Sequence, residues 1–341
     1  MTVKVSVVVP ARNEESSIAA LLDSLLRQSR PAAEIIVVDA GSVDRTAQIV
    51  REYRSAAIPV RLITIGPAFP GIARNAGVAA AAWDYIAFTD AGIQLGEHWL
   101  EKLCAALDPD RNSIALPSCD VVFGSYEPVI STFLDQSMAT AYVPASSKEP
   151  GKEIRGPVIA SCLIRRSVID AAGGFAPYRA AEDLIFFESI RRKEWKVAYA
   201  PAAIAHWRMA SGWTSTYRRF TLYSYHNLIA GRARHWHRGV ALYYALAAPF
   251  LILGWVNRSA WLAVPVFGAC GRVGLTLWRK RKEHWGAAFN PLRWITVGVV
   301  LLLLDAATVS GAVRWAWASL RGSWPGPFQA HSEKSRGATP A

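Results

Sequence analysis

One unit repeats four times in the first 112 residues: a short apolar run, a polar turn, then a stretch with helical spacing or rich in alanine. The runs are Val5–Pro10, Glu34–Asp39, Val60–Ile65 and the strand from Tyr85 that ends at Asp90. Each is too short for a helix, and bounded apolar runs of this kind suit strands buried on both faces of a parallel sheet. After Pro10, Asn13 or Ser16 can cap a helix whose apolar face is Ile18, Leu21, Leu22, Leu25 and Leu26. After Asp39, Ser42 or Asp44 can start a second helix. Alternation of this kind predicts an α/β domain with a doubly wound, mostly parallel sheet. Ligands of such sheets gather at the carboxyl ends of the strands. The polar residues there are Arg12 and Glu14, Asp39, Arg74 and Asn75, and Asp90. Taken alone, Asp90-Ala91-Gly92 is an ordinary Asx turn.

Charge divides the chain in two. Residues 1–190 carry 17 Lys and Arg against 22 Asp and Glu, and residues 191–341 carry 21 against 4, so the halves net −5 and +17. Twelve of the 14 Trp also lie after residue 190, among long apolar runs. A pI of 9.8 could indicate nucleic-acid binding, but Val240–Val256 holds no charge in 17 residues. That pattern fits membrane lipids as partners and no nucleic acid. Trp261–Trp278 and Trp294–Val313 are two further apolar stretches, and the basic run 279–282 closes the first of them. Positive flanks put both ends of the first hairpin on the cytosolic side; the third stretch either crosses or lies in the interface. Arg272 and Asp305 are expected to pair, because each alone at a helix centre costs roughly 2.5–3.5 kcal/mol on insertion scales. The four cysteines show no ligand spacing and read as reduced thiols.

Val-Val-Val-Pro-Ala-Arg-Asn-Glu, Ile-Ile-Val-Val-Asp-Ala-Gly-Ser-Val-Asp-Arg-Thr, Ala-Arg-Asn-Ala-Gly and Phe-Thr-Asp-Ala-Gly occur in that order. They resemble the nucleotide-sugar half of a family 2 glycosyltransferase with the GT-A fold. The resemblance implies a nucleoside diphosphate sugar donor, with the base near Pro10, Arg12, Glu14 and Asp39 and the diphosphate near Arg74, Asn75 and Asp90. It also implies a divalent cation, Mg or Mn. Here the chain departs from the family, with Ala40 after Asp39 and Gly92 where a second metal-binding acid commonly stands. One carboxylate would hold a cation weakly. His206 is therefore a candidate to complete a metal shell with Asp90.

Gly173-Gly-Phe followed by Glu182-Asp183 extends the resemblance, which makes Asp183 the catalytic base and lets Glu182 orient the acceptor. Locally the same pair also reads as an N-terminal helix cap. Thr216-Tyr-Arg-Arg-Phe occupies the place of the Gln-x-x-Arg-Trp motif of processive synthases but lacks its Gln and Trp, so Arg219 is left as a candidate diphosphate contact.

The sequence therefore predicts a cytosolic GT-A domain over 1–234, with a nucleotide half (1–112) and an acceptor half (113–234). A membrane region of two to three transmembrane helices over 235–322 and a polar, disordered tail over 323–341 complete it. The expected activity is that of an inverting, hexosyltransferase-like enzyme at the inner membrane, acting on a hydroxyl of a lipid-linked or membrane-delivered acceptor. A polyprenyl phosphate acceptor and a non-catalytic membrane scaffold are the alternatives.

Overall fold

The computed structural model describes residues 3–107, 119–147, 149, 154–209, 212–257, 260–281 and 290–322. The tail from 323 and most of the polar stretch 146–153 fall outside these residues. The chain divides into two compact units, residues 1–129 with 146–208, and residues 130–145 with 209–341.

The first unit is built on one mixed sheet of eight strands: β1 (Val5–Ala11), β2 (Glu34–Ala40), β3 (Val60–Ile65), β4 (Tyr85–Phe88), β5 (Ile93–Leu95), β6 (Val121–Val129), β7 (Cys162–Arg165) and β8 (Val197–Arg208). Their order across the sheet is β3-β2-β1-β4-β7-β6-β8-β5. The four strands read from sequence pair in parallel as β3-β2-β1-β4. Beyond β4 the direction alternates: β7 runs antiparallel to β4 and β6, β8 parallel to β6, and β5 antiparallel to β8. β1 and β2 are buried at every position, as their unbroken apolar sequences require.

Helices α1 (Ile18–Leu26), α2 (Thr46–Glu52), α3 (Pro70–Ala80) and α4 (Trp99–Ala105) follow β1, β2, β3 and β5. Asn13 and Ser16 do not cap α1, whose N-cap Ser17 makes no side-chain cap bond. Asn13 instead adopts φ 57° and laces two strand ends together, its Oδ1 accepting from Val43 N at 2.9 Å. Two core layers cover the sheet faces, one under α1 and α4, the other joining Val8, Ile36 and Phe88 to Phe175, Phe186 and Phe187. The short helices α6 (Arg166–Ala172) and α7 (Glu182–Arg191) complete this unit, and α5 (Phe133–Tyr142) belongs to the other.

The second unit is helical. With α5 it contains α8 (Trp213–Ile229), α9 (Ala233–Trp236), α10 (Arg238–Asn257), α11 (Ala263–Arg279) and α12 (Pro291–Leu320). Three of its helical segments are long and apolar enough to cross a membrane: Arg238–Val256, Ala260–Arg279 and Pro291–Leu320. Residues 130–145 and 209–234, assigned from sequence to the acceptor half, group instead with these helices. The reason lies in side-chain packing. Arg293 of α12 donates to Phe133 O and Ser137 Oγ of α5 at 3.1 and 3.0 Å, while Ser224 of α8 donates to Thr308 O at 2.7 Å.

The pair expected between Arg272 and Asp305 is present. Arg272 donates through both terminal nitrogens to Asp305, with Nη2 2.8 Å from Oδ1, and Tyr244 Oη donates to the same carboxylate at 3.0 Å. Losing one partner strands the other in an apolar setting, whereas losing both does not. Arg272→Leu and Asp305→Leu should each lower the melting temperature of the detergent-solubilised chain. The double variant should recover most of that loss, and strictly additive losses would show that the pair does not couple.

Candidate active site

The strand ends chosen from sequence do converge. Ala11 lies beside Asp39 in the β1–β2 ladder, and Phe88 beside Val8, so Arg12, Asp39 and Asp90 leave adjacent strands at one edge of the sheet. Asp39 is buried and accepts from Ser42 N at 3.2 Å, closing a turn through Gly41 at φ 73°. Arg12 is exposed. The backbone of Glu14 donates to Thr46 Oγ1 at 2.7 Å, and its carboxylate accepts from Ser17 Oγ. Pro10 is the last position but one of β1.

Arg74 and Asn75, placed from sequence near a diphosphate, face into the protein. Arg74 is 3% exposed, and its Nη2 donates to Asp90 Oδ1 at 2.7 Å while Nη1 donates to Glu182 Oε1 at 3.0 Å. Asn75 forms a two-way clamp on the Gly-Gly-Phe segment: Nδ2 donates to Phe175 O at 2.9 Å, and Phe175 N donates to Oδ1 at 2.8 Å. Gly71, one turn earlier on α3, lies so close to this segment that a Cβ there would meet Ala176 O at 2.5 Å and Glu182 Cγ at 3.3 Å. One helix thus links Asp90, at the end of β4, to Glu182, the neighbour of Asp183, in a single network. The phenyl rings below are packed, with Phe175 stacked on Phe186 at 4.2 Å and edge-on to Phe88 at 5.4 Å.

Glu182 and Asp183 open α7, as their sequence position predicts. They arrive there through a strained residue that the sequence does not announce: Ala181 holds φ 73° and ψ 0°, a left-handed conformation that costs of order 1–3 kcal/mol outside glycine. Ala181 at the N-cap makes no side-chain cap bond, and Asp183 Oδ1 accepts from Leu184 N of the first turn at 2.8 Å.

Burial sets the electrostatics. It pushes the Glu182 carboxyl up to about 7, against the pull of Arg74 and with help from the Asp183 charge. Burial likewise raises Asp183, again opposed by Arg74, and the Asp90 charge adds to the rise. For Arg74, burial disfavours the cation, yet Asp90 and Glu182 outweigh it and hold the guanidinium protonated more firmly than usual.

His206 sits in β8, opposite Gln94 of β5 and Glu127 of β6. Arg219 is on α8 in the helical unit, where its charge acts on Tyr142. Among the described residues, no three His, Cys, Asp or Glu side chains gather as a ready-made metal site.

A parallel four-strand half, continued by a mixed half with a Glu-Asp pair opening the helix α7 between β7 and β8, defines a GT-A-type domain. Residues 6–173 match the model of Glycosyl transferase family 2, so this part of the chain is a family 2 glycosyltransferase domain. It is 31% identical over 122 residues to the uncharacterized glycosyltransferase YibD of Escherichia coli, covering 36% of each chain. It is 34% identical over 164 residues to the 4,4'-diaponeurosporenoate glycosyltransferase of Staphylococcus haemolyticus, covering 46% of this chain and 44% of the relative. The chain thus spans less than half the length of these curated relatives. The solved mannosyltransferase PcManGT of Pyrobaculum calidifontis, in complex with GDP-Man and Mn2+, shares the fold at TM-score 0.54 and 18% identity, over 92% of this chain and 87% of that one.

Arg74→Met would leave Asp90, Glu182 and Asp183 without their common cation. Removing one partner of a buried pair costs about 3–5 kcal/mol. The missing cation raises the folded-state pKa of Glu182 and Asp183 further, and stability that depends on their being protonated is lost as pH rises through those values. Arg74→Met should therefore be more destabilised at pH 8 than at pH 5 in denaturant titrations. Equal losses at both pH values would contradict the network.

Proposed function

We propose that the protein is an inverting glycosyltransferase that moves a sugar from a nucleoside diphosphate sugar to a hydroxyl of a lipid-linked or membrane-delivered acceptor. One observation carries this reading: Glu182–Asp183 is joined through Arg74 to Asp90, so a raised-pKa acid stands ready beside the donor edge. An inverting transfer needs one base that takes the acceptor proton while the acceptor oxygen attacks the anomeric carbon from the face opposite the diphosphate. Asp183 is assigned that role. Glu182, held at one oxygen by Arg74, orients the acceptor and keeps Asp183 in register. Pro10, Arg12, Glu14 and Asp39 are assigned to the nucleoside, and Asp90 to the diphosphate. A hydroxyl acceptor is preferred to a polyprenyl phosphate because an ionised phosphate oxygen needs no base. The apolar helices of the second unit support a catalytic domain tethered at the cytosolic face of the inner membrane.

A divalent cation shared with the donor is part of this reading. Arg74 engages only Oδ1 of Asp90, and a Cβ at Gly92 would lie 4.0 Å from Glu14 Oε2, so Glu14 stands beside the position of the missing second acid. Mg or Mn is commonly held by one or two carboxylates together with substrate phosphates. When bound, such an ion would screen the diphosphate and stabilise the leaving group. Asp90 would hold it, with His206 as the other assigned ligand. Mn2+ should then bind weakly to the free chain and more tightly with a nucleoside diphosphate, and His206→Ala should weaken binding in isothermal titration. Unchanged binding in His206→Ala would remove it as a ligand.

Asp183→Asn keeps the side-chain shape but cannot accept a proton. Turnover at saturating donor should fall about 10²–10⁴-fold, with donor affinity nearly unchanged. Wild-type turnover should rise with pH through the raised pKa of the Glu182–Asp183 pair, because the base acts only when ionised. Near-normal turnover of Asp183→Asn would exclude it as the base and favour a phosphate acceptor.

A further inference from the structure

If α10, α11 and α12 all stood upright in a bilayer, the Arg272–Asp305 bond would be hard to form. Asp305 lies eleven residues beyond Trp294 and Arg272 six before Trp278, or about 17 and 9 Å along their helices at 1.5 Å per residue. Yet both carboxylate oxygens of Asp305 are bound by Arg272, and Tyr244, six residues into α10, reaches the same group. Asp305 is therefore level with the first turns of the α10–α11 hairpin rather than midway down it.

The other contacts of α12 agree. The hairpin turns at Ala260–Leu262, so its open ends are Arg238 and Arg279. Near its start, α12 meets the open end of α11, where Val297 and Leu301 share a buried cluster with Val273 and Leu277. Fourteen residues on from Trp294, about 21 Å along the axis, it is linked to the open end of α10 through Ser224 of α8. There Ser224 Oγ bonds both Thr308 O at 2.7 Å and Nε2 of His237, the residue before α10, at 2.8 Å. The helix thus passes from one leg of the hairpin to the other across their open ends.

Its two faces differ along its length. Arg293, Val297, Asp305, Thr308 and Gly311 are buried against protein, while Ile295, Val299, Leu302, Val309, Val313 and Leu320 form an exposed apolar stripe. With Leu292 that stripe runs from residue 292 to residue 320, about 42 Å along the axis, well beyond the ~30 Å hydrocarbon thickness. The buried face carries α8, a polar helix whose Ser224, His226 and Asn227 would enter the bilayer with an upright α12.

We propose that α12 does not cross the membrane but lies along the face from which α10 and α11 enter, its apolar stripe resting on the acyl chains, as interfacial helices do. This rests on the reading of the hairpin as membrane-inserted. The carboxyl terminus then stays on the side of the amino terminus.

The test uses the full chain in sealed inverted inner-membrane vesicles, with a protease-cleavable tag at each end. Both tags should be cut in intact vesicles; a C-terminal tag cut only after detergent would show that α12 crosses. A chain removed from the vesicles by alkaline wash would overturn the membrane reading, and this proposal with it. Depth is read separately in a Cys270→Ser background, with bimane on Ile295→Cys, Leu302→Cys or Val309→Cys and nitroxide lipids as quenchers. Equal, shallow quenching at the three positions is expected. Deepest quenching at position 302, or none at any, would overturn the proposal, the latter because protein such as a second copy would cover the face.

Discussion

The guanidinium of Arg74 is the interaction on which the catalytic unit depends. It is fully enclosed, and its terminal nitrogens hold Asp90, which follows β4, and Glu182, which opens α7 more than ninety residues later. Glu182 is buried and Asp183 and Asp90 are partly so, and a cation between such acids offsets the rise in pKa that each desolvated charge imposes on the next. Burial raises the Glu182 and Asp183 carboxyls, and Arg74 opposes that rise. A carboxylate poised between these effects suits proton abstraction better than one at its solution pKa. The strain at Ala181 and the Asn75 clamp on Phe175 are the mechanical counterpart, fixing the chain that delivers the acids to the network.

A second buried ion pair organises the helical unit by the same logic. Arg272, Tyr244 and Asp305 satisfy one another where water is scarce, and in doing so tie α10, α11 and α12 at one level. Around them the unit is polar on one side and apolar on the other. α5 and α8 cover one face of α12, and the opposite stripe is left bare. The two units thus divide the work expected of a membrane-bound transferase: one positions charges for chemistry, the other orders apolar surface.

Much of the catalytic unit was legible because strand ends write themselves into sequence. Unbroken apolar runs stopped by a carboxylate located Asp39 and Asp90, and the reading of Glu182–Asp183 as a helix N-terminus put the pair at the start of α7. What was not legible is direction. An arginine followed by asparagine on an Ala-rich helix looks the same in sequence whether it faces a ligand or the core; only the packing of Gly71 against Ala176 and of Phe175 beneath shows that Arg74 points inward. The left-handed Ala181 carries no sequence signal, since that conformation is ordinarily given to glycine or asparagine. The same holds for residues 130–145 and 209–234. Their apolar positions suit a soluble core and a helical bundle equally, and long-range contact with Arg293 and Thr308 decides between them. The Arg272–Asp305 pair was legible because two unlike charges in neighbouring apolar stretches have few other partners.

The most direct test of the account is a solved structure of the chain with an unreactive nucleoside diphosphate sugar analogue bound. The account predicts the diphosphate at Asp90, the anomeric carbon between Asp90 and Asp183, and the Asp183 carboxylate on the face opposite the diphosphate with room for one acceptor oxygen. It also predicts that Arg74 still bridges Asp90 and Glu182. A donor bound with Arg74 swung out onto the diphosphate, or with Asp183 on the leaving-group side, would contradict it.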